Sequence, residues 1–138
     1  MTEFEDFRAA ITGLFAQGWQ NHFVTEWPNQ PNRIDRSGQW CRFSIQEGDR
    51  DYSAVGIATQ RTYGMISIQL FVPLETGTRS LTQAAGLAAA AIERRCLAPV
   101  AGMDVELYPA RMSGYWIDGA HYCATVSIPW RRDIVNAA

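Results

Sequence analysis

From Tyr63 to Val72 the chain alternates without a break. Gly64, Ile66, Ile68, Leu70 and Val72 are small or apolar, and Tyr63, Met65, Ser67, Gln69 and Phe71 between them are mixed. Successive side chains of a strand point to opposite faces, so this run predicts a strand with one face on a core. Pro73 stops it, having no N–H to give a ladder.

Three shorter runs share the period. Gln39–Gln46 places Cys41, Phe43 and Ile45 on one side and Trp40, Arg42 and Ser44 on the other. Met103–Tyr108 aligns Met103, Val105 and Leu107. Ala120–Trp130 aligns Tyr122, Ala124, Val126, Ile128 and Trp130 against His121, Cys123, Thr125 and Ser127, and Pro129 predicts that its end lies at a sheet edge. A short strand is expected at Phe23–Glu26, within an irregular connection spanning 19–38. The segment Glu47-Gly48-Asp49-Arg50-Asp51-Tyr52 reads as a charged hairpin tip. Gly114–Gly119 carries turn signals around Tyr115 and Trp116.

Two stretches have helical spacing instead. Thr2–Gln17 repeats Phe4, Phe7, Ile11, Leu14 and Phe15 on one stripe, with Thr2 and Glu5 spaced as a capping box and Gly18 as a C-terminal cap. Leu81 to about Cys96 is rich in alanine, the strongest helix former, with Ser80 and Gln83 as a second box and Pro99 and Gly102 closing the element. The tail from Arg131 to Ala138 is expected to be loosely held. The order is α-β-β-α-β-β. It predicts one α+β domain over residues 1–138, a mainly antiparallel sheet with two helices packed on one face.

Composition narrows the function. All 12 basic residues are arginine, against 14 acidic ones, for a net charge of −2. Nonspecific nucleic-acid binding needs a basic surplus, which is missing. Charged residues are only 19% while aromatics reach 12%. Interfaces favour aromatics and arginine over lysine, so the balance suits a subunit of an assembly; a GC-rich genome would also replace lysine codons. Cys41, Cys96 and Cys123 form neither a disulfide framework nor a zinc pattern and read as small, partly buried hydrophobes in a reducing cytosol. The opening MTEFEDF is acidic and does not read as a signal peptide, and no stretch is apolar enough for a membrane span.

Patterns that carry chemistry are missing. His22 and His121 have no companions at metal-ligand spacing. Asp49 and Asp51 lack the further oxygen ligands and the bidentate Glu of a calcium loop. No nucleophile elbow or phosphate-binding loop occurs, and the absent lysine excludes a P-loop. No catalytic residue, metal or cofactor is therefore assigned. What stands out is surface: Trp40, Arg42, Tyr63, Met65, Gln69 and Phe71 share the sheet face opposite the core. Either a partner covers them, or the loop with Trp19 and Trp27 does.

The run Trp40-x-Arg42-Phe43-Ser44-Ile45, a charged loop, Gly64-x-Ile66-x-Ile68-Gln69-x-Phe71-x-Pro73, Gly77, an Ala-rich helix and a closing Ile128-Pro129-Trp130-Arg131-Arg132-Asp133 resemble the phage tail terminator-like proteins. The likeness spans about residues 4–133, and the phage lambda tail terminator is a more distant parallel. The resemblance implies a non-enzymatic virion protein without cofactor, made in the host cytoplasm. It implies a hexameric ring on the head-proximal end of the tail tube that stops tube growth. The implied partners are its own copies, the tail tube protein and the head connector, with DNA passing through the lumen unbound. The family has no catalytic residues, so the expected sites are contacts: Trp40, Arg42, Glu47, Asp49, Arg50, Asp51, Tyr52, Arg61, Tyr63, Phe71, Arg131 and Arg132. Another neck or tube component is the nearest alternative, although tube proteins usually carry a longer hairpin. A small cytosolic enzyme or ligand-binding module is the alternative from a different class.

Overall fold

The computed structural model describes residues 3–28, 34–52, 59–75, 77–100 and 102–135; for residues 3, 49–52, 59, 98–100 and 135 only the backbone is described. The elements are α1 (Glu3–Trp19), β1 (Val24–Glu26), β2 (Trp40–Tyr52), β3 (Thr59–Pro73), α2 (Arg79–Ile92), β4 (Arg95–Val100), β5 (Met103–Leu107), β6 (Arg111–Met112), β7 (Trp116–Asp118) and β8 (His121–Val135). The strands form one sheet in the order β1-β2-β3-β8-β5-β4, with β6 and β7 also paired to β8. Among the described strands only β1 on β2 is parallel. This is the expected α+β class with a mainly antiparallel sheet.

The alternation assigns the core. Cys41, Phe43 and Ile45 of β2, the even residues Ile66–Val72 of β3, and Ala124, Val126, Ile128 and Trp130 of β8 share one buried cluster with both helices. Phe7, Ile11 and Phe15 of α1 and Leu81, Ala84, Ala88 and Ile92 of α2 complete it. Burying a side chain of the Leu or Phe kind contributes about 1.5–3 kcal/mol, so this one-sided core dominates the fold.

Several local expectations are corrected. Gly18 does not cap α1 but lies inside it, beside Ala91 of α2. The helix ends through Gln20 and Asn21, both at positive φ. Thr2 lies outside the described residues. Ser80 does not cap α2: the cap position is Thr78, without a side-chain bond, and the Ser80 hydroxyl accepts from Gln39 Nε2 at 2.6 Å. Gly77, at φ +81, turns the chain early enough for the helix to begin at Arg79. That helix stops at Ile92, and Cys96 and Pro99 belong to β4, an edge strand whose register with β5 shifts between Leu97 and Val100. Edge position and irregular pairing tolerate the proline. Cys96 is exposed, and only Cys41 and Cys123 are buried.

The charged segment Glu47–Tyr52 is strand. It continues β2 past a bulge between Glu47 and Arg50, pairing Arg50 with Thr62, Asp51 with Arg61 and Tyr52 with Gln60. Pro129 does not mark an edge, because β8 is central and runs on to Val135. The Pro129 carbonyl accepts from the Tyr108 N–H at 2.9 Å. The N–H and C=O of a strand residue share one edge, so the missing N–H faces the gap where β5 ends and no ladder is lost to β3. Through Val135 the tail is therefore strand, held between β3 and β5.

Candidate interface surfaces

The sheet face away from the helices has an aromatic end, a polar middle and a charged end. At the aromatic end Trp40 and Phe71 stack with centroids 3.9 Å apart and planes within 4°. They are only 5% and 3% exposed, packed with Cys123, Ile34 and Trp116. Both were expected as outward-facing contacts; the chain itself covers them. Trp19 and Trp27 are not the cover, since both join the helix-side core, Trp27 edge-on to Phe15 and Phe43. The covering residues at 34–36 and 116 carried no periodic signal.

Arg42 and Arg36 lie over the Trp40 ring at 5.3 and 4.9 Å. Arg42 also donates to Glu26 at 3.1 Å and Gln69 at 3.2 Å, and Arg36 pairs with Glu26 at 3.0 Å. Partial burial pulls the Glu26 carboxyl up, but the two guanidiniums outweigh it and hold it below the usual carboxylate range.

At the charged end Arg61 grips Asp133 with two hydrogen bonds, Nε to Oδ1 at 2.7 Å and Nη2 to Oδ2 at 2.9 Å. Arg131 bonds the same carboxylate and donates from Nε to Glu106 at 2.9 Å, with Asp104 at 3.8 Å. The Arg61 bond holds the Asp133 carboxyl below its usual range, against a smaller opposing effect of burial. Tyr63 stands beside this network, 50% exposed.

Arg132 lies on the other face. It is 0% exposed, its guanidinium donates to Glu47 at 2.7 Å, and it sits 4.7 Å from the Phe7 ring and 5.3 Å from the Trp130 ring. Arg132, expected as a contact in a loosely held tail, is instead fully buried: the strand carries it beneath α1. Of the remaining expected contacts, the side chains of Asp49, Arg50, Asp51 and Tyr52 lie outside the described residues.

A second surface was missed. Leu74, Met112, Tyr115 and Ile117 are all exposed, Ile117 by 64%. Tyr115 stacks on Tyr122 at 5.2 Å and meets the Thr82 hydroxyl at 3.1 Å, while Ile117 pairs with Tyr122 across β7 and β8. Pro73, Leu74, Glu75, Gly77, Thr78 and Tyr122 line a hollow of about 260 Å³. Tyr115 and Trp116 were legible only as turn aromatics, because the strands that carry this patch are two and three residues long.

No group of His, Cys, Asp and Glu suited to a metal ion occurs among the described residues. Burial pushes the Cys41 thiol up to about 11 and raises Cys123, so neither is held as a reactive thiolate. His121 engages the Gly38 carbonyl at 3.1 Å. No helix among the described residues is long and apolar enough to cross a membrane.

No family model matches the chain, and no curated protein matches it. A solved structure of a protein designated only by a sequence number is similar over 99% of this chain and 100% of that one, with a TM-score of 0.78 at 15% identity. At that identity the likeness concerns the fold alone.

Proposed function

We propose that this protein is a phage tail terminator, a virion structural subunit made in the host cytoplasm. Six copies form a ring on the head-proximal end of the tail tube, stop tube growth and present a joining surface to the head connector. The observation that carries the reading is the amount of large apolar side chain left on one surface, in Leu74, Met112, Tyr115 and Ile117. A contiguous exposed apolar patch marks an interaction surface more often than a free one. An acidic chain without lysine also suits a lumen that passes DNA without gripping it.

Glu47 is already engaged by Arg132, so the contacts proposed for this region pass to its neighbours on the β2–β3 hairpin, and reversing the charges of Asp49 and Asp51 tests them. A second reading, a tail-tube or other neck component, draws support from that hairpin. Its strands of 13 and 15 residues are longer than the sequence pattern implied.

Native mass spectrometry and negative-stain imaging, with and without assembled tail tubes, separate these readings. Hexameric rings, or density capping one tube end, support the terminator. Tubes built from this protein itself support the second reading. A monomer that ignores tube ends overturns both.

A further inference from the structure

We infer that the segment 34–39 is a strap that opens locally, while the sheet stays folded, and uncovers the stacked Trp40–Phe71 pair. Opening of this kind is independent of ring formation. It makes a face that is self-contained in the closed form available for contact.

The strap is held by few and mostly exposed interactions. Residues 34–39 form neither helix nor strand. Ile34 packs on the cluster of Trp40, Phe71 and Cys123, and the Arg36 guanidinium lies 4.9 Å over the Trp40 ring. Arg36 also pairs with Glu26 at 3.0 Å, but its side chain is 53% exposed, so water and salt screen the pair. The Asp35 carboxylate bonds Ser37, within the strap itself. His121 engages the Gly38 carbonyl at 3.1 Å, and the Gln39 amide reaches Ser80 at 2.6 Å. The end next to β2 is therefore anchored, and Ile34 and Arg36 form the part that lifts. Segments with few buried contacts and no backbone ladder open at far lower cost than the whole fold.

Two further observations mark the closed arrangement as incomplete. A hollow of about 360 Å³ is walled by His22, Phe23 and Val24 at the entry to β1 and by Asp35, Gly38 and Gln39 of the strap, which gives the strap room to move. The Trp40 indole N–H is buried and meets no acceptor among the described residues. A buried donor without a partner favours any arrangement that returns it to water or to an acceptor, and lifting the cover from Trp40 does so. Burial of two aromatic rings opposes the motion and keeps the closed form the major one. The surface uncovered is a stacked tryptophan and phenylalanine with the Arg42 guanidinium 5.3 Å from the Trp40 ring. Tryptophan and arginine are among the residue types that dominate interface hot spots.

Two native thiols read the motion. Cys123 belongs to the strap-covered cluster and Cys41 to the helix-side core, and both are 0% exposed. In a Cys96→Ser background, which removes the exposed thiol, alkylation of each by iodoacetamide is followed by peptide mass spectrometry. Cys123 should react at least ~10-fold faster than Cys41. Arg36→Ala loosens the strap and leaves both rings of the stack in place. It should quicken Cys123 by ~3-fold or more and leave Cys41 unchanged. Circular dichroism and the Cys41 rate confirm that each variant is folded. Equal rates for the two thiols overturn the strap, since both then wait for the whole fold to open, and so does equal quickening of both by Arg36→Ala. A fast Cys123 that ignores Arg36→Ala also overturns it, because Trp116 packs on the same cluster and β7 is then the moving part.

Discussion

Gly64 lies directly beneath the indole of Trp130, its register partner across β3 and β8. A Cβ added at 64 would overlap Cζ2 and Cε2 of that ring and the Gln46 carbonyl. The missing side chain is what makes room for the indole of Trp130, the largest fully buried side chain among the described residues, on the central pair of strands. Overpacking a filled core costs about 1–3 kcal/mol. Gly64→Ala is expected to cost at least ~2 kcal/mol, read as a lower urea midpoint at unchanged slope. Loss of less than ~0.5 kcal/mol would show that Trp130 can move aside.

The two glycines of α1 should behave oppositely. A Cβ at Gly18 would stand 2.7 Å from the Ala91 Cβ, whereas one at Gly13 meets nothing within 4 Å. Gly13→Ala is expected to stabilise by ~0.5–1 kcal/mol through helix propensity. Gly18→Ala should destabilise by ~1–3 kcal/mol by forcing α1 away from α2. Thermal melts of the pair give the sign directly.

Arg132 and Glu47 form an ion pair with its cation wholly buried. Removing one partner of a buried pair costs about 3–5 kcal/mol when a buried charge stays behind. Loss of the Glu47 charge leaves the wholly buried guanidinium without that counter-charge, whereas loss of the guanidinium leaves a carboxylate whose side chain is 23% exposed and reaches water. Glu47→Gln, which keeps the shape, should therefore destabilise more than Arg132→Met. Denaturant titration ranks them, and the reverse order would show that the guanidinium's packing outweighs its charge.

Asp133 contributes a pH dependence. Its folded-state pKa is lowered, first by the Arg61 hydrogen bond, so the stabilisation is full above the unfolded value of about 3.9 and fades as pH falls through the folded value. At pH 7 Asp133→Asn should cost about 1 kcal/mol, a modest figure because Arg61 is partly in water. The gap to wild type should shrink below about pH 4. Unfolding free energies measured from pH 7 to pH 3 check this, and a constant gap would place the effect elsewhere.

The elements that were legible are those with a strong period. The alternation in β2, β3 and β8 assigned every core-facing residue on those runs, and the α1 stripe placed Phe7, Ile11 and Phe15 correctly in the core. Glu47–Tyr52 was not legible as strand, because charges and a glycine on a bulged hairpin look like turn chemistry. The same holds for β4, where Cys96 and Pro99 mimic the end of a helix. Of the candidate contacts, Arg42 and Tyr63 are exposed as expected, while Trp40 and Phe71 are covered by the aperiodic residues Ile34, Arg36 and Trp116, and Arg132 by α1.

The sequence by itself determined the period of each long element, and with it the class of fold and which side of each strand is apolar. Those are local properties, set by backbone geometry over a few residues. Only the tertiary structure decided what covers the second face, that Gly18 and Gly64 are contacts and not breaks, and that Arg132 ends beneath α1 rather than in water. Each of these depends on atoms brought together from distant parts of the chain, as Gly18 with Ala91, Gly64 with Trp130, and Phe7 with Trp130. Burial is a property of the packed whole, and no window of sequence contains it.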